Sequence, residues 1–302
     1  MKSPSPIDVA VIGNVGIDTN IYFYGAEIDF QVETNFTENR DYIGQAGGYA
    51  CRGYARLNKR TAFIGYVGDD FSGNFIRNEF ARDGIDTTAL FIDPAGTSRS
   101  INFMYPDGRR KNFYDGKSHM HLQPDLDICR AILAQSRLAH FNLPNWARLL
   151  LPVARELGVI VACDLQDVTR VDDPYRQDFI QAADFLFFSA ANYPDPTPLI
   201  QAFLRKKSDL IILTGMGAQG CALGTHSGIQ FYPPETLDEP VIDTNGAGDA
   251  LAVGFLTSYL LDGYSLADSV RRGQIAARYT CTLKADSTNL ITRQQLDHYS
   301  AQ

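Results

Sequence analysis

Apolar and polar positions alternate with two different periods along this chain of 302 residues, and the change of period divides it into two kinds of segment. Short runs bounded by turn residues are apolar almost without interruption: Asp8–Ile12, Ala62–Val67, Leu138–Phe141, Val159–Cys163, Phe185–Phe188 and Leu210–Thr214. A strand covered on both faces has no wet side to mark with polar residues, so these runs predict buried strands. Helical periodicity falls between most of them, over Gly48–Leu57, Ser72–Asp83, Trp146–Leu157 and Pro198–Lys206. The expected fold is therefore α/β and doubly wound, a mostly parallel sheet between two helical layers.

Ile21–Tyr42 and Ser98–Tyr114 break that rhythm, alternating polar and apolar residues with period two, as in a sheet with one wet face. Within the second, Ile101–Tyr105 and Arg109–Tyr114 flank Pro106-Asp107-Gly108, whose proline fixes φ and whose glycine permits φ > 0, so a hairpin is expected. A small sheet beside a nucleotide-type α/β body is a natural lid. It is expected to be inserted in one domain, 1–302, through segments of about 19–45 and 97–116; no repeat, low-complexity stretch or linker marks a second domain.

A hydrophobic content of 45% is enough to bury a substantial core. The net charge of -8 and pI near 5.1 argue against a nucleic-acid partner, because a phosphate backbone selects basic faces. Five scattered cysteines without a CxxC pair fit neither a disulfide framework nor a zinc cage and read as reduced thiols. The first apolar run, Ile7–Ile12, is too short for a signal-peptide core, and no stretch approaches membrane-spanning length. A cytoplasmic protein without a membrane partner is expected.

The segment that carries chemistry is Val241-Ile-Asp-Thr-Asn-Gly-Ala-Gly-Asp249, followed by an apolar helix through Leu261. Gly246, Ala247 and Gly248 leave the backbone bare, so amides at a helix N-terminus can approach an anion closely. Asp249 is open to two readings, a helix cap or a catalytic carboxylate; a cap needs none of the preceding glycines, which favours catalysis. Asp243-Thr244-Asn245-Gly246-Ala247-Gly248-Asp249 resembles the DTxGAGD signature of the ribokinase-like (PfkB) carbohydrate kinase family. That resemblance implies a kinase using ATP and Mg2+, with Asp249 taking the acceptor's proton and Gly246 to Gly248 forming an anion hole. It also implies that Asp243 and Thr244 lie near a site for a monovalent cation such as K+.

Other stretches follow the family in order. Asp18, in Gly13-Asn14-Val15-Gly16-Ile17-Asp18, resembles the opening aspartate that holds substrate hydroxyls, a task suited to a carboxylate; a plain strand-end turn is the other reading. Gly47-Gly48-Tyr49-Ala50-Cys51-Arg52 resembles the diglycine stretch set against the sugar, with arginine in place of asparagine. A guanidinium only donates and pairs with carboxylate or phosphate, so Arg52 points either to an acidic substrate or to a local ion pair. Gly68-Asp69-Asp70-Phe71 reads as a turn with Asp70 capping a helix.

Gly215-Met-Gly-Ala-Gln-Gly220 after a strand is formally GxGxxG, yet a hairpin around His226-Ser227 follows instead of the helix a dinucleotide fold requires. The resemblance assigns Thr214, Gly215, Gly217 and Gly220 to the nucleotide phosphates, with Ser189 and Asn192 where the family commonly has Asn-x-x-Glu. His119 and His121 lack a third ligand and read as a solvent-exposed pair; Arg109-Arg110-Lys111 reads as a wet hairpin face, with the alternative that a lid carries it to substrate charge. The expected reaction is phosphorylation of a hydroxyl on a sugar-like small molecule. Alternatives are a nucleoside kinase, with Phe23, Phe103 or Tyr105 stacked on a base, and a non-catalytic sugar sensor. A homodimer through the lid is a further expectation from the family.

Overall fold

The computed structural model describes residues 6–190 and 193–302. Nine strands form the main sheet: β1 (Ile7–Ile12), β4 (Thr61–Val67), β5 (Asp86–Ile92), β8 (Ser136–Phe141), β9 (Ile160–Asp167), β10 (Phe185–Ser189), β11 (Ile211–Gly215), β12 (Cys221–Thr225) and β13 (Gly228–Tyr232). Their order is β13-β12-β11-β10-β9-β8-β1-β4-β5, parallel from β11 to β5. The remaining pairings, β11 with β12 and β12 with β13, are antiparallel.

The continuous apolar runs are explained by what covers them. Val9 and Val11 of β1 enter one core with Tyr54, Phe63, Phe80 and Phe255, while Ala10 and Ile12 enter the core on the opposite face with Phe141, Trp146, Phe179 and Phe203. Period-two geometry sends neighbours to opposite faces, so a strand with two cores needs apolar residues at every position.

Helices α1 (Gln45–Arg56), α2 (Phe71–Arg82), α3 (Leu126–Leu133), α4 (Leu151–Glu156), α5 (Gln177–Ala182), α6 (Thr197–Lys206), α7 (Ala247–Leu256), α8 (Leu266–Thr280) and α9 (Arg293–Ser300) flank the sheet. The helix expected over Trp146–Leu157 is split: a 3-10 turn, Asn145–Leu150, precedes the α-helical part, where Pro152 sits near the start. Asp70 caps α2, accepting from the Gly73 amide at 2.8 Å, as its sequence position predicts. Helices α7 and α8 cross closely because Gly254 meets Gly273; a Cβ at Gly254 would lie 3.0 Å from the Gly273 Cα. This crossing fixes where the N-terminus of α7 points.

The two period-two segments form a separate four-stranded sheet, ordered β3-β2-β6-β7, from β2 (Gly16–Phe23), β3 (Thr37–Gly44), β6 (Ser98–Met104) and β7 (Arg110–Asp115). The predicted hairpin joins β6 to β7, with Gly108 at φ 86°. Its pairing β2 with β6 is parallel, so the sheet is mixed. Registers Asp18↔Ser100, Asn20↔Asn102 and Tyr22↔Met104, then Ser100↔Tyr114, Asn102↔Asn112 and Met104↔Arg110, place all nine residues on one face. Ile101, Phe103 and Phe113 lie on the other.

Candidate active site

Strands β4 and β8 leave β1 on opposite sides, so the chain reverses direction across the sheet there. In open α/β sheets ligands sit beyond the carboxyl ends of strands at such a switch point. Asn14 follows β1 and Asn142 follows β8 at this place. Gly13 makes the approach possible, since a Cβ there would lie 2.2 Å from Asn142 Oδ1. Both amide atoms of Asn142 are buried without a hydrogen-bond partner.

Asp18, on the inner face of the small sheet, faces the same space. Its Oδ2 accepts from the Gln45 amide at 3.2 Å, and Oδ1 is buried without a partner. Burial pushes its carboxyl up to about 6, with the Gln45 amide and the nearby Ser100 and Tyr42 hydroxyls opposing. Gly44 and Gly47 allow the fit: a Cβ at Gly44 would strike Asp18 Oδ2 at 2.2 Å, and one at Gly47 the Asn14 carbonyl at 2.4 Å. Gly48 packs on Val15, so the diglycine joins the start of α1 to the turn after β1. Asn14 Nδ2 donates to the Tyr114 hydroxyl at 2.6 Å, tying that turn to the small sheet.

The signature turn leads into α7. Gly246 is left-handed, φ 76°, and its α-carbon lies on the Tyr49 ring, where a Cβ would sit 2.4 Å from Cε1. Ala247 begins the helix, Gly248 opens onto unfilled space, and no side chain among the described residues caps the turn. Asp249 is therefore the third helical residue and not the cap. It is part-exposed to the site yet ringed by protein. Burial raises its carboxyl well above the ordinary value, the charges of Asp164 and Asp18 raise it further, and its own amide and Arg110 oppose. Asp164, near the end of β9, is itself pushed up to about 6 by burial, with the Gln166 amide opposing. Sequence reading missed Asp164, because an aspartate late in a strand carries no signal of its own. Only the structure marks the place, through Gln166 at φ 55°, a left-handed non-glycine residue at the strand end.

Asp243 is a hub. Its Oδ1 accepts from the Asn245 amide at 2.9 Å and from Asn245 Nδ2 at 2.8 Å; its Oδ2 accepts from the Tyr22 hydroxyl at 2.6 Å, the Ala285 amide at 3.2 Å and Asn20 Nδ2 at 3.4 Å. Protein donors thus take both oxygens, so the pair Asp243 and Thr244, with Thr244 exposed, does not fit a side-chain seat for a monovalent ion. No cluster of three His, Cys, Asp or Glu among the described residues is grouped for a metal.

Arg52 stands apart from this site. It is buried, donates Nε to Asp83 at 2.6 Å and Nη1 to Ser287 Oγ at 3.0 Å, and so takes the local-pair reading. Thr214 is fully buried and donates to the Phe188 carbonyl at 2.8 Å, while Gly215 pairs with Ser189 across β10 and β11. Gly217 and Gly220 both have positive φ, and a Cβ at Gly220 would strike the Tyr232 carbonyl at 2.1 Å. These glycines close a 3-10 turn into the β12–β13 hairpin, so the dinucleotide fingerprint is absent, as its context predicts. Asn192 lies outside the described residues. Phe23 stacks on Tyr105 at 5.1 Å and meets Phe103 edge-on at 5.3 Å, on the face away from Asp18.

A model of the pfkB family carbohydrate kinase matches residues 7–293. The chain belongs to the PfkB family of carbohydrate kinases. Acarbose 7(IV)-phosphotransferase from an Actinoplanes species is 29% identical over 294 residues, 96% of this chain and 97% of that protein. A 5-dehydro-2-deoxygluconokinase from Geobacillus thermodenitrificans is 24% identical, covering 97% and 93%. Among solved structures, a microbiome-derived acarbose kinase superposes with a TM-score of 0.88 at 26% identity over 98% of this chain and 99% of that one. Arabidopsis thaliana ribokinase complexed with ribose and ATP gives 0.81 at 18% identity, over 97% and 98%, a likeness of fold. This PfkB kinase is thus a phosphotransferase acting on the hydroxyl of a sugar-type molecule at the expense of ATP.

Proposed function

We propose that this kinase transfers the γ-phosphoryl group of MgATP to a hydroxyl of a neutral or basic polyhydroxylated acceptor, an oligosaccharide or aminosugar, with Asp249 as general base. The observation that carries the reading is the meeting of Asp249, at the bare N-terminal turn of α7, with Asp18 and its unpartnered oxygen. Asp18 accepts from acceptor hydroxyls, and Asn14, Asn142 and Tyr114 supply neutral donors and acceptors around it. With Arg52 engaged by Asp83, the acceptor side has no arginine from α1 to receive a carboxylate, which disfavours a sugar acid. That the acarbose kinases are similar in sequence and in structure points the same way.

The hydroxyl proton passes to the Asp249 carboxylate as oxygen attacks, a contribution of about 10² to 10⁴ in rate. Amides of Gly246 to Gly248 and the α7 dipole stabilise the transferring group. The glycine turn from Gly215 to Gly220 lines the triphosphate path, and Mg2+ travels with the nucleotide, held by phosphates and water. The small sheet acts as a lid that excludes water from the reacting group. Ile101 and Phe113, 37% and 51% exposed on its outer face, support pairing of two copies there, which light scattering would test. Five buried, unpaired cysteines suit a reducing cytoplasm.

The test is ADP release across neutral oligosaccharides including acarbose, monosaccharides, sugar acids and nucleosides, with Asp249→Asn in parallel. Turnover of the neutral oligosaccharides, abolished by the substitution, is expected. Turnover confined to sugar acids or nucleosides would overturn the acceptor assignment, and an active Asp249→Asn enzyme would remove the base.

A further inference from the structure

We infer that Arg110, carried on the lid, is a catalytic residue that contacts the transferring phosphoryl group and balances its charge. This rests on the kinase reading above. Three adjacent basic residues, Arg109, Arg110 and Lys111, close the β6–β7 hairpin, and the geometry separates them. Arg109 donates to Asp107 at 2.6 Å and Glu27 at 2.7 Å and lies over the Tyr105 ring, so it stitches the turn. Lys111 opposes Phe103 across β6 and shares its outer face. Arg110 opposes Met104 and shares the inner face with Asp18, Asn20 and Asn102. Its Nη1 donates to Asn245 Oδ1 at 2.7 Å. Asn245 is the variable position of the signature turn, immediately before Gly246, and its Nδ2 is anchored on Asp243. The lid guanidinium is thereby held at the mouth of the anion hole.

Charge gives this placement its meaning. Asp18, Asp164 and Asp249 crowd the space into which a triphosphate must come, and like charges at such range repel strongly. Asp164 and Asp18 act on Asp249 in one direction and Arg110 opposes them. During transfer the bond from the γ-phosphorus to the bridging oxygen breaks and the bond to the acceptor oxygen forms. The acceptor proton goes to Asp249, and ADP leaves with the bridging oxygen's electrons. Arg110 stays protonated throughout and offers N–H donors to the equatorial oxygens, a geometry suited to guanidinium.

Arg110→Gln removes the positive charge and leaves a shorter, neutral amide on the inner face of the lid. With the acceptor found above, kcat is expected to fall about 10² to 10³-fold while acceptor KM stays within about threefold. Removing the cation beside Asp249 raises that carboxyl further, so the acid limb of kcat/KM moves to higher pH. Guanidinium ion added to Arg110→Ala should restore part of kcat, and Arg109→Gln should behave as wild type. A variant Arg110→Gln with wild-type kcat and an unmoved acid limb would show a structural latch and overturn the inference. A second measurement stands apart from the acceptor: calorimetric binding of MgADP with aluminium fluoride, a mimic of the transferring phosphoryl group. Loss of that affinity in Arg110→Gln, with MgADP affinity retained, supports the inference even if no tested acceptor turns over; equal affinity refutes it.

Discussion

Asp249 is held in a position that costs stability and is useful for the same reason. Burial and the neighbouring charges of Asp164 and Asp18 make its ionised form expensive, which raises its affinity for a proton and suits the role of base proposed for it. Asp164→Asn removes one of the raising charges, so the acid limb of kcat/KM is expected to move to lower pH; a pH-rate series checks this, and an unmoved limb would mean that Asp164 does not act on the base. Arg52 illustrates the opposite case, a charge whose partners are internal. Replacing it with methionine leaves Asp83 without its partner and should cost about 3 kcal/mol of stability, read by urea unfolding, with acceptor KM unchanged. At the residue scale, the signature from Asp243 to Asp249 was legible because glycines and an aspartate in that order are hard to explain otherwise. The choice between the two readings of Arg52 was not, since an ion pair joining α1 to the residue after α2 leaves no local pattern.

Elements matter through their ends. The proposed anion hole is the first turn of α7, and its glycines differ: Gly246 has a left-handed backbone pressed on Tyr49, whereas Gly248 has ordinary helical conformation and open space before it. Gly246→Ala should therefore lower both kcat and Tm, while Gly248→Ala should leave Tm within about 2 °C and still cut kcat, because its methyl group occupies the space meant for phosphate. Thermal unfolding and steady-state kinetics on the two variants separate these outcomes; equal losses of Tm would show that Gly248 is structural too. The same scale explains Arg110. Strand alternation put it on the inner face of β7, but which face was inner depended on the pairing of β7 with β6 and β6 with β2. From sequence the three basic residues were equivalent, a wet hairpin face or a lid cluster within reach of substrate charge, with nothing to choose one of them.

Across the whole molecule, pH should pull activity and stability apart. Asp18 and Asp164 have carboxyls near 6 in the folded state, above the ordinary value near 4, so the folded protein binds protons more readily than the unfolded chain. These carboxyls add stability as pH falls from about 7 towards 5, while His140, which burial holds down to about 4, takes some away because the unfolded chain binds that proton first. Over the same range the proposed base is protonated and activity is lost. Carboxyls held low set the lower limit of this window: Asp8, which Arg60 holds down against its burial, and Asp297, held by Arg293 and Arg272 in the same way, lose their contribution only below the ordinary range. A Tm series and a kcat/KM series over the same buffers should diverge between pH 7 and 5. A parallel fall in both would mean that acid inactivation is unfolding.

Hydrophobic periodicity was enough for the layered α/β architecture and the separate sheet, because it reports how many faces of a strand are covered, a property of every residue in it. The residues proposed as anion hole and base were legible as well, since they lie within seven consecutive residues from Asp243 to Asp249. Everything that depends on two distant segments meeting came from the three-dimensional fold: Asp164 beside Asp249, Asn142 against Gly13, Tyr22 closing on Asp243, and Arg110 over Asn245. Pairings of that kind are set by strand order, register and the crossing of α7 with α8, and a linear pattern of hydrophobicity contains no term for them.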